Sequence, residues 1–182
     1  MGRLFKRGVP LKESEIMNNV ILIGMPGSGK STLGVLVAKM TGKHFLDADV
    51  GLQASVGAKL SDVIKEKGMD AFRSLEAEYL SSLNLSDTVL ATGGSAVYYS
   101  GAMEHLKKSG KVVYLKASYD EIKRRVGDLV ARGVVMNKGQ TLLDLYNERT
   151  PLYEKYADYT VDVGDLEISF AAERVAQLFE NN

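Results

Sequence analysis

The stretch Gly24-Met25-Pro26-Gly27-Ser28-Gly29-Lys30-Ser31-Thr32 satisfies the phosphate-loop pattern G-x-x-x-x-G-K-[ST] at every fixed position. An apolar run, Val20-Ile21-Leu22-Ile23, precedes it, and an amphipathic run through Leu33, Leu36, Val37 and Met40 follows. Strand, glycine loop and helix therefore come in the order the pattern requires. Glycines let consecutive backbone N–H groups point at one anion, and a helix starting near Lys30 adds its positive dipole end. In that arrangement Lys30 reaches the β- and γ-phosphates of a nucleoside triphosphate and the Ser31 hydroxyl ligates Mg²⁺. Gly27, Ser28, Gly29 and Thr32 complete the cradle.

The remaining totals narrow the partners. A length of 182 residues fits one domain, and 45% hydrophobic content is enough for a sizeable core. Lys plus Arg equals Asp plus Glu at 23 each, so charge recruits neither nucleic acid nor anionic membrane. There is no cysteine, and His44 and His105 lack ligand spacing, which argues against a structural zinc. No run approaches the ~18 apolar residues of a membrane span, and the basic start at Arg3, Lys6 and Arg7 has no apolar region behind it. The expectation is a cytoplasmic, monomeric enzyme that uses ATP on a small molecule.

Residues 1–19 show no sustained period, and residues 1–17 are expected to be a weakly ordered extension of a single domain over 18–182. Thr41-Gly42 ends the first helix, and His44-Phe45-Leu46 opens a second strand that runs into Asp47-Ala48-Asp49. In extended backbone those two carboxylates share a face at the carboxyl end of a strand, where open α/β sheets bind ligands; an isolated Asp-x-Asp also occurs as a solvated turn. Residues 60–85 read as helix broken near Gly68, with Phe72, Leu75, Tyr79 and Leu83 as the buried stripe and Arg73 and Glu76 on one face, as a surface ion pair would be. A third strand over 88–92 leads into Gly93-Gly94-Ser95, either a plain turn or a place where something approaches the backbone closely.

Beyond it, residues 103–109 read as helix and 111–115 as a fourth strand. Ser118 and Glu121 match a capping box opening a helix with Lys123, Arg124 and Arg125 on a cationic face. The pattern lapses over 127–140, a loop long enough to be a lid and carrying Arg132 and Lys138. Thr141 starts a helix bearing Arg149, and Thr150-Pro151 reads as the cap and first residue of another. A fifth strand over 159–163 and a helix over 168–179 close the chain. Five strands alternating with helices predict an α/β fold: a parallel sheet covered on both faces.

Taken in order, G-M-P-G-S-G-K-S-T, F-L-D-A-D, F-R-S-L-E, A-T-G-G, the lid arginine and R-T-P-L-Y make the chain resemble the shikimate kinase family over residues 20–163. The resemblance implies a P-loop kinase of the nucleoside monophosphate kinase-like type, with a substrate-binding region at about 48–82 and a lid at about 127–140. It implies ATP-dependent phosphorylation of shikimate, a step of aromatic amino acid biosynthesis, with ATP and Mg²⁺ as cofactors. Position by position, Lys30 and Ser31 match the phosphate and metal residues, and Asp47 holds the metal through water. Asp49 orients or deprotonates the acceptor hydroxyl. Arg73 and Arg149 grip the acceptor carboxylate, Glu76 supports the pocket, and Gly93, Gly94 and Ser95 lie along it. Arg132 closes over the phosphates and Arg125 lies against adenine.

Two departures fall on the acceptor side and the lid. Ser95 stands where the family usually has a third glycine, and Arg132-Gly133-Val134-Val135 stands where it usually has R-P-L-L. If position 95 needed left-handed backbone, serine would cost about 1–2 kcal/mol; otherwise the turn differs or the hydroxyl meets a ligand. The alternatives are a kinase of this fold for another hydroxy acid, homoserine or gluconate, a nucleoside monophosphate kinase, and a non-catalytic nucleotide-binding module.

Overall fold

Val20, Ile21, Leu22 and Ile23 have no exposed surface, which a strand achieves only when both faces of its sheet are covered. They form most of β1 (Asn19–Ile23), the centre of a five-stranded parallel sheet completed by β2 (His44–Asp47), β3 (Thr88–Ala91), β4 (Gly110–Lys116) and β5 (Tyr159–Asp162). The strand order is β2-β3-β1-β4-β5. Leu22 lies opposite Ala91 of β3 on one side and Val113 of β4 on the other. The loops leaving β1 and β3 therefore emerge side by side at the carboxyl edge, the ligand-binding edge of such sheets. The structure is a computed structural model and describes residues 18–126 and 139–179.

The helices are α1 (Lys30–Thr41), α2 (Ala48–Val56), α3 (Leu60–Ser82), α4 (Ser100–Ser109), α5 (Tyr119–Val126), α6 (Leu142–Tyr156) and α7 (Ile168–Gln177), with a 3₁₀ turn over Ala96–Tyr98. α1 packs on α7, α3 on α4 and α5 on α6. The break expected near Gly68 is present, with φ 84° and ψ 171° inside α3. So is the cap of α5, where the Ser118 N–H and hydroxyl donate to Glu121 at 2.7 and 2.8 Å.

Four local readings change. Asn19, placed with the patternless start of the chain, opens β1, because its buried side chain donates to Leu85 O and Ser109 O and accepts from Thr88 N–H. β2 stops at Asp47, and Asp49 lies in the first turn of α2 rather than on a strand, because Asp47 caps that helix by accepting from the N–H groups of Asp49 and Val50. α6 runs through Pro151 as one helix. Proline removes one backbone bond there, but Tyr153 after it is buried in the core and Arg149 before it is buried against the cavity, which holds the two halves in line. Arg73 and Glu76 do not form the expected pair, for reasons set out below. The extension expected over 1–17 and most of the lid, 127–138, lie outside the described residues.

Candidate active site

The phosphate loop sits between β1 and α1 and is shaped by close approaches. Gly29 caps α1 at φ 94°, a left-handed conformation that glycine takes without steric cost. A Cβ on Gly27 would come 2.7 Å from Val126 Cγ2, so the end of α5 packs directly against the loop. Lys30 is buried, and its ammonium donates to Gly24 O at 2.8 Å and Met25 O at 2.9 Å. Burial lowers its pKa to about 8, against the upward pull of Asp49 and Asp47. The Ser31 hydroxyl donates to Asp47 Oδ2 at 2.5 Å.

A cavity of about 290 Å³ opens beside this loop. It is lined on the nucleotide side by Gly27, Gly29, Lys30, Ser31 and Thr32, and on the other side by Asp49, Phe72, Glu76, Gly93, Gly94, Ser95 and Arg149. Thr92 fastens the edge between β1 and β3, its N–H and hydroxyl both donating to Leu22 O. Gly93 and Gly94 are forced by crowding: a Cβ on Gly93 would fall 2.5 Å from Glu76 Oε1 and 2.9 Å from Asp49 Oδ1, and one on Gly94 would fall 2.9 Å from Pro26 Cδ and 3.0 Å from Arg149 Nη1. The double glycine is thus a close approach rather than a plain turn.

Arg149 is 1% exposed. Its Nε donates to the Tyr98 hydroxyl at 3.1 Å, and its guanidinium carbon stands 5.0 Å from the Tyr98 ring centroid, a cation–π geometry. Tyr153, one helical turn on, donates its hydroxyl to Gly94 O at 2.7 Å. Glu76 is 3% exposed and takes donations from the Ser95 hydroxyl, 2.8 and 2.7 Å from its two oxygens, and from the Tyr99 hydroxyl at 2.8 Å. Burial raises the Glu76 pKa, and those two donors oppose the rise. Asp49 reaches solvent through the cavity but is walled by protein, and that desolvation, with Asp47 beside it, raises its pKa against the pull of Lys30. Ser95 has φ −85° and ψ −13°, ordinary right-handed backbone, so serine is unstrained there and its hydroxyl meets Glu76.

Some predicted residues fall elsewhere. Arg73 does not line the cavity; its Nη1 lies 3.5 Å from Asp70 on its own helix. Ser28 is buried beneath the loop, its N–H on Met25 O. Arg125 donates to Val163 O at 2.9 Å and also to Gly164 O, which ties α5 to the segment after β5. Arg132 lies outside the described residues. Sequence reasoning missed Tyr98, Tyr99 and Tyr153; the tyrosine pair just after the double glycine was the available signal.

Comparison with known proteins fits this geometry. The sequence model of the shikimate kinase family matches residues 26–180. The chain belongs to the shikimate kinase family. The shikimate kinase of Thermodesulfovibrio yellowstonii is 34% identical over 167 residues, 90% of this chain and 96% of its relative. That of Thiobacillus denitrificans is 37% identical over 148 residues, 80% of this chain and 81% of the relative. The solved structure of the family member from Acinetobacter baumannii in complex with shikimate aligns with a TM-score of 0.80 at 33% identity, covering 90% of this chain and 93% of that one. The protein is thus a kinase with the five-stranded P-loop fold of this family.

Proposed function

We propose that the protein transfers the γ-phosphoryl group of ATP to a hydroxyl of shikimate, giving shikimate 3-phosphate and ADP. One observation carries this reading: a buried arginine, Arg149, faces the same cavity as Lys30 and Asp49. A guanidinium presents a planar fork to a carboxylate, so the cavity suits an acceptor that bears both a carboxylate and a hydroxyl. The Acinetobacter baumannii relative, solved with shikimate, supports that choice.

In the proposed reaction the acceptor oxygen bonds to the γ-phosphorus while the bond from that phosphorus to the β-bridging oxygen breaks, and the hydroxyl proton passes to Asp49. A carboxylate whose pKa is raised by burial is the better base for this step. Lys30 neutralises charge on the transferring group, and Arg132, from the lid, is assigned the same role on family resemblance. Phosphoryl transfer depends mainly on such positioning and neutralisation. Arg149 holds the acceptor carboxylate, joined by Arg73 once it leaves Asp70. Arg125, whose guanidinium is held by two carbonyls, offers its face to adenine.

Ser31, exposed, and Asp47, half-buried, stand together at the loop and fit a hard cation that takes few protein oxygens and keeps waters and phosphate oxygens. Mg²⁺ bound there supplies charge neutralisation across the phosphates. On family resemblance, residues 48–82 are assigned to the acceptor region and 127–140 to the lid of a single kinase domain. We take the protein to act as a monomer, and in the cytoplasm because it uses cellular ATP. The test is Mg·ATP-dependent ADP release with shikimate, homoserine, gluconate, nucleoside monophosphates and no acceptor. Turnover with shikimate alone is expected; turnover only with another acid reassigns the acceptor, and silence with all of them removes the catalytic reading.

A further inference from the structure

The turn that follows the double glycine carries hydroxyls that no step of the proposed reaction uses. Ser95 is 3% exposed, and Tyr99 is half-buried. Both hydroxyls donate to one carboxylate, that of Glu76. Glu76 Oε1 in turn crowds the α-carbon of Gly93 together with Asp49 Oδ1. Two carboxylates so placed repel, and the buried one is protonated first unless something holds its charge.

From this geometry we propose that Ser95 and Tyr99 are positioning residues for the acceptor pocket: together they clamp Glu76 as an oriented anion on the wall shared with Asp49 and Arg149. The clamp rests on the acceptor reading above but is testable without it. The charges acting on Glu76 are Asp49 from α2, which opposes its ionisation, and Arg149 from α6, which favours it; Lys30 from α1 lines the same cavity, and Arg73 precedes Glu76 by three residues on α3. The hydrogen bonds that reach the Glu76 oxygens come from the two hydroxyls, at 2.7–2.8 Å. Burial acts to neutralise Glu76 and the hydroxyls act to keep it ionised. An anionic Glu76 gives the pocket a fixed acceptor of hydrogen bonds opposite the Arg149 guanidinium, so a ligand must present its carboxylate to one wall and its hydroxyls to the other. A neutral Glu76 loses that polarity.

The experiment combines Ser95→Ala, Tyr99→Phe and the double variant with Ser95→Thr, which keeps a hydroxyl. Carboxyl ¹³C titration of Glu76 in the ligand-free protein is the primary readout. The midpoint should rise by about one pH unit in the double variant, and Ser95→Thr should hold it near the parent value. In parallel, the acceptor KM at pH 6 should rise about tenfold in the double variant with the ATP KM changed less than twofold, and the acid limb of acceptor kcat/KM should move up with the Glu76 midpoint. An unmoved midpoint in the double variant overturns the clamp. A shifted midpoint in a protein that fails to phosphorylate shikimate keeps the clamp and removes the shikimate reading. If Ser95→Ala fails to fold, Tyr99→Phe, which keeps the ring, decides alone.

Discussion

The Ser31 hydroxyl donates to Asp47 Oδ2 at 2.5 Å, so the first turn of α1 is joined to the end of the edge strand β2. The other oxygen of the same carboxylate, Oδ1, accepts from the N–H groups of Asp49 and Val50 at 3.0 and 3.2 Å and caps α2. Asp47 therefore works at the metal side of the site with one oxygen and as a structural cap with the other.

These two roles separate by substitution. Asparagine caps a helix about as well as aspartate, and alanine does not. Asp47→Ala should lower unfolding free energy by about 1 kcal/mol and raise the Mg²⁺ concentration needed for half-maximal rate. Asp47→Asn should keep the stability and still raise the Mg²⁺ requirement. Equal Mg²⁺ dependence in parent and both variants would remove Asp47 from the metal site.

Lys30 should take up a proton as nucleotide binds. Its pKa of about 8 lies below that of an ordinary lysine, so the free enzyme loses this proton first as pH rises. Phosphate charge beside the ammonium then draws it back. Titration calorimetry at pH 8 in buffers of different ionisation enthalpy should show uptake of roughly half a proton per nucleotide, and Lys30→Arg, always charged, should show none. Observed enthalpies that do not depend on the buffer would contradict the assignment.

Gly94→Ala should damage catalysis while the fold survives. Its Cβ would press on Pro26 of the phosphate loop and on Arg149 Nη1, the two sides that must be held in register. Displacements on the ångström scale cost on the order of 10²-fold in rate, so kcat/KM for the acceptor should fall by about that factor. A variant within threefold of the parent would show that loop and arginine are free to move apart.

Asn19→Ala tests the opposite edge of the sheet. The side chain is 1% exposed and links Leu85 O, Ser109 O and Thr88 N–H at 3.1, 2.7 and 2.9 Å. Alanine leaves those buried groups without partners, at a cost of about 3 kcal/mol. Urea unfolding should show that loss with both KM values unchanged. A loss below about 1 kcal/mol would mean that water replaces the side chain.

What the sequence made legible is what neighbouring residues decide. The phosphate loop, the apolar run of β1, the break at Gly68 and the Ser118–Glu121 cap each depend on residues within a few positions, and each is found where expected. Asp49 is expected on a strand and lies instead in the first turn of α2 beside the cavity, because strand alternation and the first turn of a capped helix both leave Asp47 and Asp49 near one edge. The partners of Glu76 and Arg149 were not legible. Ser95 lies 19 positions from Glu76, and Tyr98 lies 51 from Arg149, so only the strand order brings them together. Arg73 stands three residues before Glu76 on α3, as its spacing requires, but its Nη1 lies 3.5 Å from Asp70 while Glu76 accepts from hydroxyls of another segment, a choice of partner that spacing alone does not decide.

Asn19 and Lys30 lie at opposite ends of the β1–loop unit, separated by a strand roughly 16 Å long. One end fastens the chain and the other handles phosphate, and the strand side chains between them, Val20 to Ile23, are all apolar and buried. Robustness and turnover in this enzyme are therefore adjustable by different substitutions. A variant hardened for heat or solvent is best sought among residues around Asn19, Leu85 and Ser109, where gains in durability leave the chemistry untouched.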